Sequence, residues 1–236
     1  MDKYDVSIVI ACFNEAPHLK QSVVEIQEVM NNTIFSYELI FVDDCSTDET
    51  RQVIQEITFQ NSEGMKVLFH DVNEGRGGAV TDGMRLAEGR YVGFLDIDLE
   101  VHARYIPSMI LALKNGYDVA TAFRIYRLGA SSIIRHILSH GYRIISRALL
   151  GERLKDTETG FKFFNRKKII PILSQLQDKG WFCDTEIMVR SLKAGLKIIE
   201  IPCLFIRRSD KKSTVNIKKD ALDYFVSLFR FRKEIE

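Results

Sequence analysis

The chain has 236 residues, 46% of them hydrophobic and 28% charged, with a formal net charge of +1. That length suffices for one sizeable core, and the balanced charge argues against a nucleic-acid footprint, leaving only local basic clusters. No uncharged apolar run reaches the roughly 18 to 20 residues of a membrane span, and the start, MDKYDVSIVIACFNEA, sets Asp2 and Asp5 before a short strand-like run, unlike a signal peptide.

VSIVIACF (6–13) is a continuous, largely β-branched run that predicts a buried strand. NEAPHLKQSVVEIQEVMNN (14–32) follows as a helix, because Leu19, Val23, Ile26 and Met30 recur at helical spacing. YELIFVDD (37–44) is a second strand. STDETRQVIQEITFQ (46–60) is a second helix, with Ser46 or Thr47 as N-cap and Glu49 and Thr50 in its first turn. MKVLFHD (65–71), GGAVTDGMRLAEG (77–89) and RYVGFLDID (90–98) add a strand, a helix and a strand. Apolar strands alternating with helices predict an α/β fold with a mostly parallel sheet covered on both faces.

In such a sheet ligands bind beyond the carboxyl ends of the strands, and every strand end here carries polar residues. They are Asn14 and Glu15, then Asp43 and Asp44, Asp71 and Asn73, and Asp96 and Asp98. YVGFLDIDLE (91–100) ends with Asp96, Asp98 and Glu100 at alternate positions, a set of hard oxygen donors suited to Mg²⁺ or Mn²⁺ and a diphosphate. NEGRGGAV (73–80) is neither a P-loop nor a dinucleotide fingerprint. It remains a glycine-rich turn entering a helix, with Arg76 available for a phosphate.

Beyond residue 125 the pattern changes. SSIIRHILSHGYRIISRALLG (131–151) carries a broad apolar stripe, with Arg135, Ser139, Arg143 and Arg147 on another face. It reads either as a solvated helix packed on the domain or as a basic amphipathic helix at a membrane surface. His136 and His140 are four apart, but no third ligand supports zinc. In the tail, Tyr224, Phe225, Leu228 and Phe229 form an apolar face beside Arg230, Arg232 and Lys233, with the same two readings. Cys12, Cys45, Cys183 and Cys203 lack C-x-x-C spacing, which predicts buried free thiols and a cytoplasmic setting.

SIVIACFNEA, FVDDCSTDET, NEGRGGAV and GRYVGFLDIDLE together resemble the inverting family 2 glycosyltransferases of GT-A fold. DTETGFKFF (156–164) resembles their D-x-x-x-G-F-K signature and FCDTEIMVR (182–190) their later aromatic-Asp-x-Glu segment, as found in polyprenyl-phosphate glucose and mannose synthases. Cys45 stands where glycine or asparagine is common, Glu100 where glutamine is frequent, and Thr214 where a lysine is expected. The resemblance implies one glycosyltransferase domain over 1–236, with a nucleotide-sugar half (1–125) and an acceptor half (126–236). It implies that Asp96, Asp98 and Glu100 hold the metal, and that Ala11, Phe13, Glu15, Asp43, Asp44, Arg76, Asp96 and Ile97 line the donor. Arg124, Arg127, Arg208 and Lys212 are implied at the acceptor phosphate, and Asp98, Arg124, Asp156, Asp184 and Glu186 in catalysis.

The implied reaction moves a hexose from a UDP- or GDP-linked donor to a polyprenyl phosphate, with inversion, at the cytoplasmic membrane face. Attack by a glycan or glycolipid hydroxyl is the second reading, and it needs Asp184 or Glu186 as base. In the first reading these acids orient loops or the donor sugar, and Asp156 has the same two readings. A noncatalytic nucleotide-sugar-binding module is the third, which loss of the acidic pair would favour; the pair is intact. Oligomeric state is not legible.

Overall fold

The alternating apolar runs form one sheet of seven strands among the described residues. These are β1 (Tyr4–Cys12), β2 (Tyr37–Asp43), β3 (Met65–Phe69), β4 (Gly89–Leu95), β5 (Val119–Tyr126), β6 (Phe161–Asn165) and β7 (Ile198–Phe205). A computed structural model describes residues 2–60, 63–126, 146–147, 149–151, 153–208 and 217–235. The strand order is β3-β2-β1-β4-β6-β5-β7. β1 pairs in parallel with β2 and β4, β2 with β3, and β5 with β7, whereas β6 runs antiparallel between β4 and β5.

The helices are α1 (Ala16–Asn31), α2 (Thr50–Gln60), α3 (Arg76–Arg85), α4 (Ile106–Lys114), α5 (Arg166–Leu173), α6 (Cys183–Lys193) and α7 (Ile217–Ile235). Successive strand residues point to opposite faces, so the core divides in two. Ile8, Ile10, Leu39, Phe41 and Phe163 pack with α1, α2 and α4. Val9, Ile40, Val42, Val92 and Phe164 pack with α3, α5 and α6. Buried side chains of this size each contribute about 1.5–3 kcal/mol on leaving water.

Two expectations shift. α2 starts at Thr50, where Asp48 Oδ1 accepts the Thr50 backbone N–H at 2.9 Å, so neither Ser46 nor Thr47 caps it. Ser46 Oγ instead accepts the Asn14 N–H, and Thr47 donates to Asn14 Oδ1, lacing the β1 and β2 exits together. The tail helix packs on the domain through Leu228 and Phe231, against Phe182, Val189 and Leu150, with Tyr224 and Phe225 partly buried there. Phe229 and Val226 face outward beside exposed Arg230 and Lys233. Most of the 131–151 stripe, including Arg135, His136, His140 and Arg143, lies outside the described residues; Arg147, which is described, donates to the Leu154 carbonyl. No described helix is long and apolar enough to cross a membrane.

Strand direction is what positions the site. Leu95 at the end of β4 pairs with Phe161 at the start of β6, so the loop before β6 arrives at the rim where β4 ends. β5 also runs antiparallel to β6, and it therefore delivers Arg124 and Tyr126 to that same rim.

Candidate active site

β4 stops at Leu95, and the chain turns with the Leu99 N–H on the Asp96 carbonyl at 3.1 Å. Ile97 and Leu99 point inward and are buried, while Asp96, Asp98 and Glu100 are partly exposed, so the period-2 alternation of the acids survives past the strand. Leu99 holds a left-handed φ of 52° to make this turn, an uncommon conformation for a bulky residue and a mark of a constrained site. Glu100 is tied elsewhere: its Oε1 accepts the Arg208 N–H at 3.2 Å and its carbonyl the Ile206 N–H at 2.8 Å, pinning the exit from β7.

The glycine-rich turn does not offer open amides to a phosphate. Gly77 N–H and Gly78 N–H both donate to the Lys179 carbonyl, at 2.8 and 3.3 Å. Glu74 N–H and Gly75 N–H donate to the Asp44 carboxylate at 2.7 and 2.9 Å. Gly75 and Gly77 are glycines because the 178–183 segment lies directly on them. A Cβ on Gly75 would stand 2.4 Å from the Lys179 carbonyl oxygen, and one on Gly77 2.6 Å from Cys183 Cβ. The amides of this turn are thus taken up by the chain itself, and the Arg76 side chain is the group of the turn that faces the acids.

Arg76 anchors a charged chain. Its Nη1 donates to Asp184 Oδ2 at 2.6 Å, and its Nε and Nη2 to Asp96 Oδ1 at 3.1 and 2.7 Å. Asp184 Oδ1 accepts from the fully buried Lys162 Nζ at 3.0 Å, and Lys162 also donates to the Thr159 carbonyl. Burial opposes the Arg76 charge, yet Asp184 and Asp96 outweigh it and raise its pKa above the ordinary arginine value. Burial lowers the Lys162 pKa, with Asp184 acting against that shift. The guanidinium lies between the rings of Phe94 and Trp181, at 5.7 and 5.3 Å from their centroids. Gly160 backs this cluster: a Cβ there would come within 2.0 Å of Asp96 Oδ2 and 2.4 Å of Arg76 Nη2.

A second clamp stands at the β5 exit. Asp156 Oδ2 and Oδ1 accept from Arg124 Nε and Nη2 at 2.7 and 2.9 Å, a bidentate fork. Burial opposes this guanidinium's charge too, and Asp156 above all holds its pKa above the usual value. Glu200 Oε1 accepts the N–H groups of Lys155 and Asp156, fixing the loop from β7.

The structure therefore gathers Arg76, Asp96 and Asp184, and separately Arg124 and Asp156. Several other expected residues carry contacts of their own. Glu186 is buried, and its carboxylate accepts the N–H groups of Gln177 and Asp178 and the Arg190 guanidinium, anchoring the loop before α6. Asp184 has one oxygen on Arg76 and the other on Lys162. Asp43 is wholly buried beside Arg51, and Asp44 clamps His70 and the 74–75 turn. Ile97 is buried and Ala11 half-buried, Phe13 is exposed at the β1 exit, and the Glu15 N–H binds Thr50 Oγ1. Arg127 and Lys212 lie outside the described residues; Arg208 is described, at the Glu100 contact.

Gly160 and Lys162 are the glycine and lysine of the D-x-x-x-G-F-K signature, which gives them no role by itself, and nothing in the sequence marks Glu200 or Trp181. A lysine inside the apolar run Phe161–Phe164 is the further signal that points to Lys162. Cys45 has φ 62°, which explains why a glycine or asparagine suits that position. Cys12, Cys183 and Cys203 are buried free thiols and Cys45 is partly exposed; burial pushes Cys183 and Cys203 up to about 12. Among the described residues no three His, Cys, Asp or Glu side chains converge as a metal cage. Asp96 and Asp98 still fit Mg²⁺ or Mn²⁺, which characteristically take one or two carboxylates and complete their shell with substrate phosphate and water.

A sheet of this order, with paired acids past β4, defines a nucleotide-sugar-binding fold of the GT-A type. Residues 7–173 match Glycosyl transferase family 2, and the chain belongs to that family. Glycosyltransferase AglD of Haloferax volcanii is 28% identical over 92% of this chain and 35% of its own length. The dolichyl-phosphate beta-glucosyltransferases of Saccharomyces cerevisiae and Dictyostelium discoideum are 28% and 27% identical, over 84% and 100% of this chain. The chain spans 65% of the yeast protein and 74% of the Dictyostelium one. Glucosyl-3-phosphoglycerate synthase from Mycobacterium tuberculosis, crystallised with Mn²⁺, UDP and glucosyl-3-phosphoglycerate, superposes with a TM-score of 0.71 at 19% identity, covering 98% of this chain and 80% of that one. The same enzyme with Mg²⁺ and UDP gives 0.69 at 18% identity, over 98% and 79%. These are likenesses of fold.

Proposed function

We propose that the chain is a metal-dependent inverting hexosyltransferase that carries a sugar from a UDP- or GDP-linked donor to a polyprenyl phosphate at the cytoplasmic face of a membrane. One observation carries the choice of acceptor. Both carboxylate oxygens of Asp156, of Asp184 and of Glu186 are engaged by cations or amides. A sugar hydroxyl needs a base to take its proton, whereas a phosphate monoester is largely ionised at neutral pH and needs only positioning. The relatives named dolichyl-phosphate beta-glucosyltransferase support the same acceptor class.

Asp96 and Asp98 would hold Mg²⁺ or Mn²⁺, which when bound neutralises charge on a departing diphosphate. Arg76, its plane fixed by Asp184, adds positive charge on the same side without reorganising during the reaction. Arg124, oriented by the Asp156 fork, directs its remaining edge at the acceptor phosphate, and Arg127, Arg208 and Lys212 are the further phosphate contacts that the family resemblance implies. The outward face of α7, with Val226 and Phe229 exposed beside Arg230 and Lys233, suits an acidic lipid surface.

The test incubates the protein with Mn²⁺ and labelled UDP-glucose, UDP-N-acetylglucosamine or GDP-mannose, with and without undecaprenyl phosphate. Label passing into an acid-labile lipid is the expected result, and transfer only to a sugar hydroxyl overturns it. Asp98→Ala is expected to abolish metal-dependent donor binding with an unchanged circular dichroism spectrum; unaltered turnover in that variant removes the metal assignment.

A further inference from the structure

Trp181 is the one tryptophan of the chain, and it stands at the edge of the Arg76 cluster with 42% of its surface exposed. Its backbone is not loose. The preceding Lys179 carbonyl accepts two α3 amides, Gly180 N–H donates to Asp178 Oδ1 at 2.8 Å, and Asp178 is itself held by Glu186 and by Ser227 Oγ at 2.6 Å. The next residue, Phe182, is buried against Tyr224 and Phe231. A half-exposed indole is thus fixed from both sides, a preorganised apolar surface in a wall otherwise made of charges.

The placement identifies what that surface meets. One guanidinium, Arg76, touches both the Trp181 ring and the Asp96 carboxylate, whose side chain is 46% exposed. If the carboxylate marks the donor diphosphate, the hexose, bonded directly to that diphosphate, falls one guanidinium width away. A pyranose presents an apolar C–H face and a rim of hydroxyls. An exposed aromatic face matches the first, and the fixed polar groups match the second.

We propose that Trp181 is the sugar platform of the donor site, stacking its exposed face on the hexopyranose ring. This rests on the nucleotide-sugar reading above. Stacking reads the ring face more than the hydroxyl pattern, so Trp181 distinguishes a nucleotide sugar from the bare nucleoside diphosphate.

Because there is a single tryptophan, its emission reports this contact directly in the full chain. With Mg²⁺ present, UDP, GDP, UDP-glucose and GDP-mannose are titrated by calorimetry and by tryptophan fluorescence. The nucleotide sugar that binds is expected to shift the emission, and its nucleoside diphosphate to bind with little shift. Trp181→Ala is expected to weaken the nucleotide sugar about tenfold and the diphosphate less than about twofold, with Trp181→Phe regaining most of the loss. Equal weakening of both ligands overturns the proposal, because it means that Trp181 only holds Arg76. So does an effect confined to the KM for undecaprenyl phosphate, which places the indole at the acceptor. If none of the four nucleotides binds the wild-type chain, the donor reading itself falls and takes this one with it.

Discussion

Two arginine clamps stand on one rim and are built differently. Arg76 takes carboxylates from two segments, Asp96 and Asp184, and Asp184 is shared with the buried Lys162. That makes a chain of alternating charge, Asp96–Arg76–Asp184–Lys162, in which each inner member has an opposite charge on both sides. Arg124 is gripped from a single segment, by both oxygens of Asp156, with Glu158 at 3.9 Å. The first clamp is a finished electrostatic wall. The second is a fork from one segment that fixes the plane of its guanidinium at the β5 exit.

Removing the middle of each clamp tests this difference most strongly. Asp184→Ala leaves two cations facing each other in a buried site and is expected to lose about 3–5 kcal/mol. Asp156→Ala removes the fork but leaves Glu158 near the one guanidinium it held, and is expected to lose about 1.5–3 kcal/mol. Urea unfolding of both variants reads the gap, and equal losses would erase the distinction. Gly160→Ala comes next. Its Cβ displaces Asp96 and Arg76 without emptying the core, so turnover should fall about 100-fold while the urea midpoint moves little. Retained turnover means the Asp96–Arg76 geometry is not what matters. Glu100→Gln is the smallest change: the amide oxygen still accepts the Arg208 N–H, and the Mn²⁺ concentration for half-maximal activity should shift by less than about threefold. A larger shift would return Glu100 to the metal shell.

The sheet and its rim were legible because they are local. A β-branched run gives a strand from a few neighbours, and acids alternating with Ile97 and Leu99 announce the turn past β4. The clamps were not legible as clamps. Asp184 stands 108 positions from Arg76, and no spacing rule relates them. The aromatic-Asp-x-Glu segment implies Asp184 and Glu186 together, two residues apart. On α6 that separation turns the two side chains to different sides, one toward Arg76 and the other toward Arg190 and the 177–178 turn. Glycines 75 and 77 are legible only as a turn entering a helix, whereas their smallness answers to the backbone of Lys179 and Gly180. Ser46 and Thr47 are good capping residues drawn away by Asn14, a long-range competitor that propensity does not see.

The seat of Lys179 on the α3 glycines bears on how such chains can be recombined. Residues 1–125 contain the larger part of the stretch that matches the family, yet alone they would leave two α3 amides bare, Arg76 without Asp184, and the β4 edge without β6. The glycine-rich turn and the 178–183 segment are a lock and its plate. A chimera that exchanges one with a relative must import the other, or it inherits the signatures of a donor site without the site.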